Sequence, residues 1–349
     1  MDDRKHARRS VAAAIVFAVV GSSACSVPSG AGPGAAQTSA SGAVTVIPIS
    51  NYGTDVAVRP DGTRAFVPLQ TGSVLAVDLT SKQVASTINT EGRPYAIALT
   101  RDGARGYVTD LSGQSLFALD TANASLTKTI ALEAMERPTR TPAVAISRDG
   151  WWVYITNAGA MDDHLAVIDT GSNKVSGIHG LGGVHPVGVA VSPDGNRVFV
   201  AGCKLACVDG NLLVLDAASG NLISSIHLTA APVGLAVSPD GSRAYTPTGL
   251  AATVQAIDLA SGTMTSISVD AEPLGIDVDP RGIFVYVTCY GASEVAVIDT
   301  RTNAVVARIP VANEPRSIAV SPDSKFTYVT HSSPILSAID LQRAGVPAL

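Results

Sequence analysis

Cys203 and Cys207 stand with three residues between them in "VAGCKLACVDG", in a chain with only two further cysteines, Cys25 and Cys289. Such a pair can be a disulfide, a reactive dithiol or half of a metal site. A structural zinc site needs a second ligand pair, and none stands nearby in sequence. The segment "MDDH" sets Asp162, Asp163 and His164 in one loop, with His185 on the connection that follows. Carboxylates and imidazoles that converge can hold a divalent cation. Adjacent side chains in an irregular loop rarely point to one centre, so no metal is expected. Aspartates 78, 120, 169, 216, 258, 299 and 340 resemble a catalytic set until their 41–49-residue spacing is noticed. The chain lacks a Gly-x-Ser-x-Gly elbow, a His-Glu-x-x-His helix, a phosphate loop and a Cys-x-x-Cys-His haem site. No cofactor is expected.

The elements that must position these residues are repeats. Seven segments share one pattern, among them "VAVRPDGTRAFVP" (56–68), "VAVSPDGNRVFVA" (189–201) and "IAVSPDSKFTYVT" (318–330). Each is followed by a second alternating run that ends in one of the seven aspartates, as in "VAVID". Asp-Gly between two β-branched runs is a hairpin signal, because glycine takes φ > 0 without steric cost. A polar turn and a fourth alternating run complete the unit, giving strands a to d. Four short strands at this period predict an all-β chain folded as a seven-bladed β-propeller. The last unit lacks a clear strand d, while "VTVIPIS" (44–50) resembles "VVARIPVA" (305–312). The N-terminal strand is therefore expected to join the last blade and close the ring.

The first 24 residues read as a signal peptide: a basic start, ten apolar residues (11–20), then "GSSAC". Ten apolar residues are too few to span a bilayer as a helix. The ending resembles a bacterial lipobox and would make Cys25 a lipidated first residue, although Ser22 stands where that motif has Leu. Plain secretion is the alternative, and Arg8-Arg9 hints at twin-arginine export. Residues 25–43 read as the anchor and a Ser/Gly/Ala tether, and 44–349 as the propeller. The expected location is extracytoplasmic, held at the cell membrane by lipid or secreted. Without residues 1–24 the balance is 20 Lys/Arg against 27 Asp/Glu, a net charge of −7. That disfavours nucleic acid, whose binding rests on a basic surface. An oxidising compartment favours a Cys203–Cys207 disulfide, with reactive or metal-binding thiols as the alternative.

The strand-b sequences "YVTD", "YITN", "YVTC" and "YVTH" resemble the YVTN-repeat family of β-propellers, over about residues 44–341. The resemblance implies an exported bacterial or archaeal protein. It includes a nucleic-acid-binding relative and is distantly similar to lactonase-like propellers, so it selects no activity.

Residues that recur in every unit serve the fold; those that occur once are candidates for function. The seven strand-c aspartates each precede a polar turn, where a carboxylate accepts backbone N–H bonds. Asp277 replaces an Ala present in the other six units, as a hydrogen-bonded structural group or a general base in the channel. Three insertions, "LEAMERPTRT", "NAGAMDDH" and "GCKLACVDG", fall on the face carrying the b–c and d–a loops, where binding usually lives. The rim of that face is expected from Arg93, Tyr95, Arg140, His185, Glu272, Glu314 and Arg316, which flank the position before strand a. Asp110, Asn157, Tyr290 and His331, after strand b, complete it. Trp151 and Trp152 belong to the opposite face, as a contact pair or as packing. The expected function is a monomeric, non-catalytic propeller that binds a protein, peptide or cell-envelope component through the loop face. A lactonase-like hydrolase or lyase using Asp277, His185 and His331 is the alternative, and nucleic-acid binding a further one.

Overall fold

The computed structural model describes residues 37–38, 42–132, 142–159, 163–204, 207 and 209–347. They form seven antiparallel sheets arranged as a β-propeller, with helix limited to the single 3-10 turn Gly249–Ala251 among the described residues. Blade 1 is Ala57–Val58, Arg64–Leu69, Ser73–Asp78 and Gln83–Asn89. Blades 2 to 6 repeat the order a-b-c-d. Blade 7 takes strands a, b and c from Pro315–Val320, Phe326–His331 and Ile335–Asp340. Its fourth strand is Val44–Pro48, which pairs Val44 with Ile339 and Pro48 with Ile335. The ring closes as the sequence predicts, and the short strand Gln37–Thr38 adds a fifth to that sheet.

Each b strand is covered on both faces, and its alternation assigns one face to each neighbouring blade. The aromatic of the repeat, such as Tyr107, Tyr286 or Tyr328, enters the apolar cluster shared with the following blade. The next residue, such as Val108, Val287 or Val329, enters the cluster shared with the preceding one. Seven clusters result among the described residues, one at each junction between blades, including blade 7 to blade 1. Strand d faces water along much of its length, and its burial pattern in blade 2 shows it.

The threonine of the repeat serves the backbone. Strand a carries a register shift near its start in blades 2, 4, 6 and 7, and such a bulge frees an N–H. Thr109, Thr288 and Thr330 accept that donor, from Ala96 (3.0 Å), Gly275 (2.8 Å) and Ser317 (3.1 Å). The Thr288 hydroxyl donates onward to the Arg316 carbonyl of the next blade at 2.6 Å. At Gly275 the two inner strands approach so closely that a Cβ would lie 2.3 Å from that carbonyl.

All seven strand-c aspartates accept backbone N–H groups of the c–d turn, as Asp78 does from Ser81 at 2.7 Å and Asp340 from Arg343 at 3.0 Å. Backbone N–H bonds hold Asp78, Asp120, Asp169 and Asp258 below the usual carboxylate range, and the side chains of Ser219 and Arg301, helped by backbone N–H groups, do the same for Asp216 and Asp299.

Candidate functional site

The end of strand b sorts the expected rim residues into two groups. Asp110, Asn157, Cys289 and His331 share one register position and are all buried. Two of them pin the connection that precedes strand a of their own blade: Arg93 N donates to Asp110 Oδ1 at 2.7 Å, and His331 Nδ1 lies 3.2 Å from the Asn313 carbonyl. The other His331 nitrogen, Nε2, is 2.8 Å from Ser337 Oγ. Burial depresses the His331 pKa to about 4, so the ring is neutral at pH 7. It stands behind the mouth, in the wall. One residue further along the chain, Gln70, Tyr290 and Ser332 are half-buried and reach the mouth.

There the side chains form one connected cluster across blades 6, 7, 1 and 2. Arg93 Nη2 and the Tyr52 hydroxyl both donate to Gln70 Oε1, each at 3.0 Å. Arg316 Nε donates to Ser332 Oγ at 2.9 Å, and its guanidinium lies 6.0 Å from the ring centroids of both Tyr52 and Tyr290. That distance is the outer limit of cation–π attraction. Neither arginine has a carboxylate within ion-pair distance among the described residues, whereas Arg59, Arg281, Arg301, Arg308 and Arg343 each do. Glu272 and Glu314 are exposed on the connections of blades 6 and 7, both with φ of +55°.

The register position of Arg316 carries no charge in other blades. It holds Tyr95 in blade 2, whose carbonyl accepts the Thr54 hydroxyl at 2.6 Å, and Val187, Val233 and Leu274 in blades 4, 5 and 6. Val233 is 36% exposed, and beside it the 3-10 turn carries Leu250, 96% exposed.

Below the mouth, two carboxylates lie against the channel on inner strands. Asp277 accepts from its neighbour Val278 N and from Val320 N of blade 7, both at 2.8 Å. Asp55 accepts from Ile97 N of blade 2 at 2.9 Å and from the Ser317 hydroxyl of blade 7. An innermost strand is a sheet edge with unpaired N–H groups, and these carboxylates satisfy two of them while tying blades 6, 7, 1 and 2 together. Burial raises both pKa values, that of Asp277 to about 6, with Asp55 adding repulsion.

His185 and Asp163 meet at the junction of blades 3 and 4, Nδ1 to Oδ1 at 2.8 Å. Asp163 and His164 are successive strand residues and point to opposite faces. Among the described residues no group of three or more His, Cys, Asp or Glu could hold a metal ion. Cys203 and Cys207 form the expected disulfide, and Cys289 is free and buried. Arg140, Asp162 and Cys25 lie outside the described residues, as do residues 133–141 of the first insertion, 160–162 of the second and 205, 206 and 208 of the third. Among the described residues no helix is long and apolar enough to cross a membrane.

On the opposite face Trp152 packs into the junction of blades 3 and 4, and Trp151 is 57% exposed. The channel ends there in a cavity of about 310 Å³ lined by turn residues including Arg101, Arg148, Pro193 and Pro239. Arg148 is bound to the Pro193 carbonyl at 2.7 Å.

Sequence reasoning missed Tyr52, Gln70, Ser317 and Asp55. The comparison of repeats that singled out Asp277 also contains Asp55, whose position holds Ala96, Ala143, Gly188, Gly234, Gly275 and Ser317 in the other blades.

The fold and this mouth define a seven-bladed propeller with a polar loop-face opening. No family model and no curated protein matches the chain. Among solved structures it is similar to a chain of Kuenenia stuttgartiensis hydrazine synthase, with a TM-score of 0.73 and 24% identity over 82% of this chain and 95% of that one. At that identity the likeness shows the fold alone. Matches extend to 1790 chains, so the scaffold is widely shared and selects no function.

Proposed function

We propose that this protein is an exported binding propeller, anchored through a lipid on Cys25 or secreted, whose loop face takes a protein, peptide or envelope ligand. The observation that carries this reading is the pair of mouth arginines, Arg93 and Arg316, held in place by neutral partners and without a carboxylate of their own. A preorganised guanidinium offers a fork of donors to an anionic group. The lactonase-like reading needs an imidazole near a channel carboxylate. Among the described residues none bonds to Asp55 or Asp277, His331 is walled in, and His185 is paired with Asp163 two blades from Asp277.

The test is site-specific photo-crosslinking in the cell envelope, with the reactive residue at Leu250 on the loop face or at Trp151 on the turn face. One adduct is expected from position 250, lost with Arg93→Gln/Arg316→Gln, and none from position 151. Adducts only from position 151, or turnover of a lactone panel with no adduct at all, would overturn the reading.

A further inference from the structure

We propose that the loop-face mouth recognises the terminal carboxylate of a peptide chain whose last side chain is apolar; this rests on the binding reading above and names its ligand. Arg316 is the anchor. Its Nε is spent on Ser332, and the rings of Tyr52 and Tyr290 each lie 6.0 Å from the guanidinium. Both Nη groups are left without a hydrogen bond among the described residues, and two parallel N–H donors match a carboxylate. Arg93 is connected to it through Gln70 and Tyr52, so a second positive charge flanks the same spot.

The surrounding charges select among anions. Glu314 is exposed two residues before Arg316 and Glu272 is exposed on the connection of blade 6, while Asp55 and Asp277 bond Ser317 and Val320 of the same inner strand as Arg316. Two cations facing four acidic groups favour a single negative charge over a phosphate dianion. The channel carboxylates repel an anion that moves deeper, so it must stop at the rim. The two glutamates also offer acceptors for peptide N–H groups. At the register position of Arg316, Val187, Val233 and Leu274 of blades 4, 5 and 6 supply apolar side chains in place of a charge, which suits the last side chain of the peptide and leaves the chain to run out over the exposed Leu250.

Fluorescence anisotropy with labelled pentapeptides ending in Leu, each as the free acid and as the amide, tests this on the folded protein. The free acid is expected to bind, and amidation to weaken it at least tenfold. Arg316→Gln should erase the difference between acid and amide, and Arg93→Gln should reduce it, with thermal unfolding unchanged in at least one of the two. Equal binding of acid and amide would overturn the carboxylate while leaving a binding face. Displacement of the peptide by decanoate or inorganic phosphate at equal concentration would overturn the peptide assignment in favour of a lipid or a free anion. If the envelope adduct forms at position 250 and no peptide competes with it, the ligand class fails and the binding reading stands; if neither adduct nor peptide binding is seen, both fail.

Discussion

The two ends of the channel are built from the same seven repeats but differ in how far the repetition is kept. At the turn face a Ser or Thr hydroxyl bonds the turn aspartate in five blades, and residues two positions on donate back to that aspartate. At the loop face one register position holds Thr54, Tyr95, Val187, Leu274 or Arg316 according to the blade. The turn end repeats one hydrogen-bond circuit from blade to blade, and it carries the fold. The loop end is pinned from behind by buried residues at the end of strand b, so the next residue can vary without unfolding the blade. Variation is tolerated where the backbone is already held, and that is where a ligand site can be assembled.

If the repeated framework carries stability, its largest element should show the largest loss. Tyr286 is fully buried between blades 6 and 7, and its hydroxyl has no hydrogen-bond partner among the described residues. Tyr286→Ala should cost about 3–5 kcal/mol through lost burial and a cavity. Tyr286→Phe should be neutral or slightly stabilising, because it removes an unsatisfied buried polar atom. Chemical denaturation of both variants checks this, and a Phe variant as damaged as the Ala variant would show that the hydroxyl has a role the packing does not reveal. Arg316→Gln, from the varied end, should leave the midpoint in place.

The framework was legible in the sequence because it recurs. Strand order, the closing strand and the role of the strand-c aspartates all follow from a hairpin signal repeated at one period. The mouth was legible only in part. Arg93, Tyr290 and Arg316 were anticipated, but Asp110, Asn157 and His331 were grouped with them. Strand b runs one residue further than the pattern suggests and buries its last side chain in the blade. Tyr52 and Gln70 carry no motif, and only the folded ring brings them beside an arginine from blade 7. Burial of an edge N–H, which gives Asp55 and Asp277 their role, leaves no mark beyond a carboxylate in a column of small residues.

The singular groups should reveal themselves through pH. The Asp277 pKa is raised to about 6 from a model-peptide value near 3.8. The folded state therefore holds a proton that the unfolded chain has lost, and stability falls as pH rises from about 4 to about 6. His331 acts with the opposite sign: depressed to about 4 from 6.5, it stays neutral in the fold while the unfolded chain is protonated, so stability falls as pH drops from about 6.5 to about 4. In the wild type the two trends oppose each other over the same window. Asp277→Ala, which restores the alanine of the other six blades, should expose the histidine trend as a steeper loss on acidification. Thermal unfolding at pH 4, 5, 6 and 7 measures it, and parallel curves for wild type and variant would show that Asp277 does not titrate in that window.

The smallest effect is expected where the turn face departs from its own pattern. Six turns place glycine at positive φ (Gly62, Gly103, Gly150, Gly195, Gly241 and Gly282), and blade 7 places Ser324 there at +56°. A left-handed non-glycine residue costs about 1–2 kcal/mol, and the Ser324 hydroxyl is buried without a partner among the described residues. Glycine would relieve both at an entropic cost of about 0.5–1 kcal/mol. Ser324→Gly should therefore stabilise by about 0.5–1 kcal/mol, while Gly282→Ser, at +72° with Pro239 3.4 Å from the new Cβ, should destabilise by a similar amount. Denaturation midpoints moving in opposite directions would confirm that backbone conformation sets the turn residue. A loss in Ser324→Gly would instead mean that the serine side chain holds the closing blade in a way its neighbours do not need.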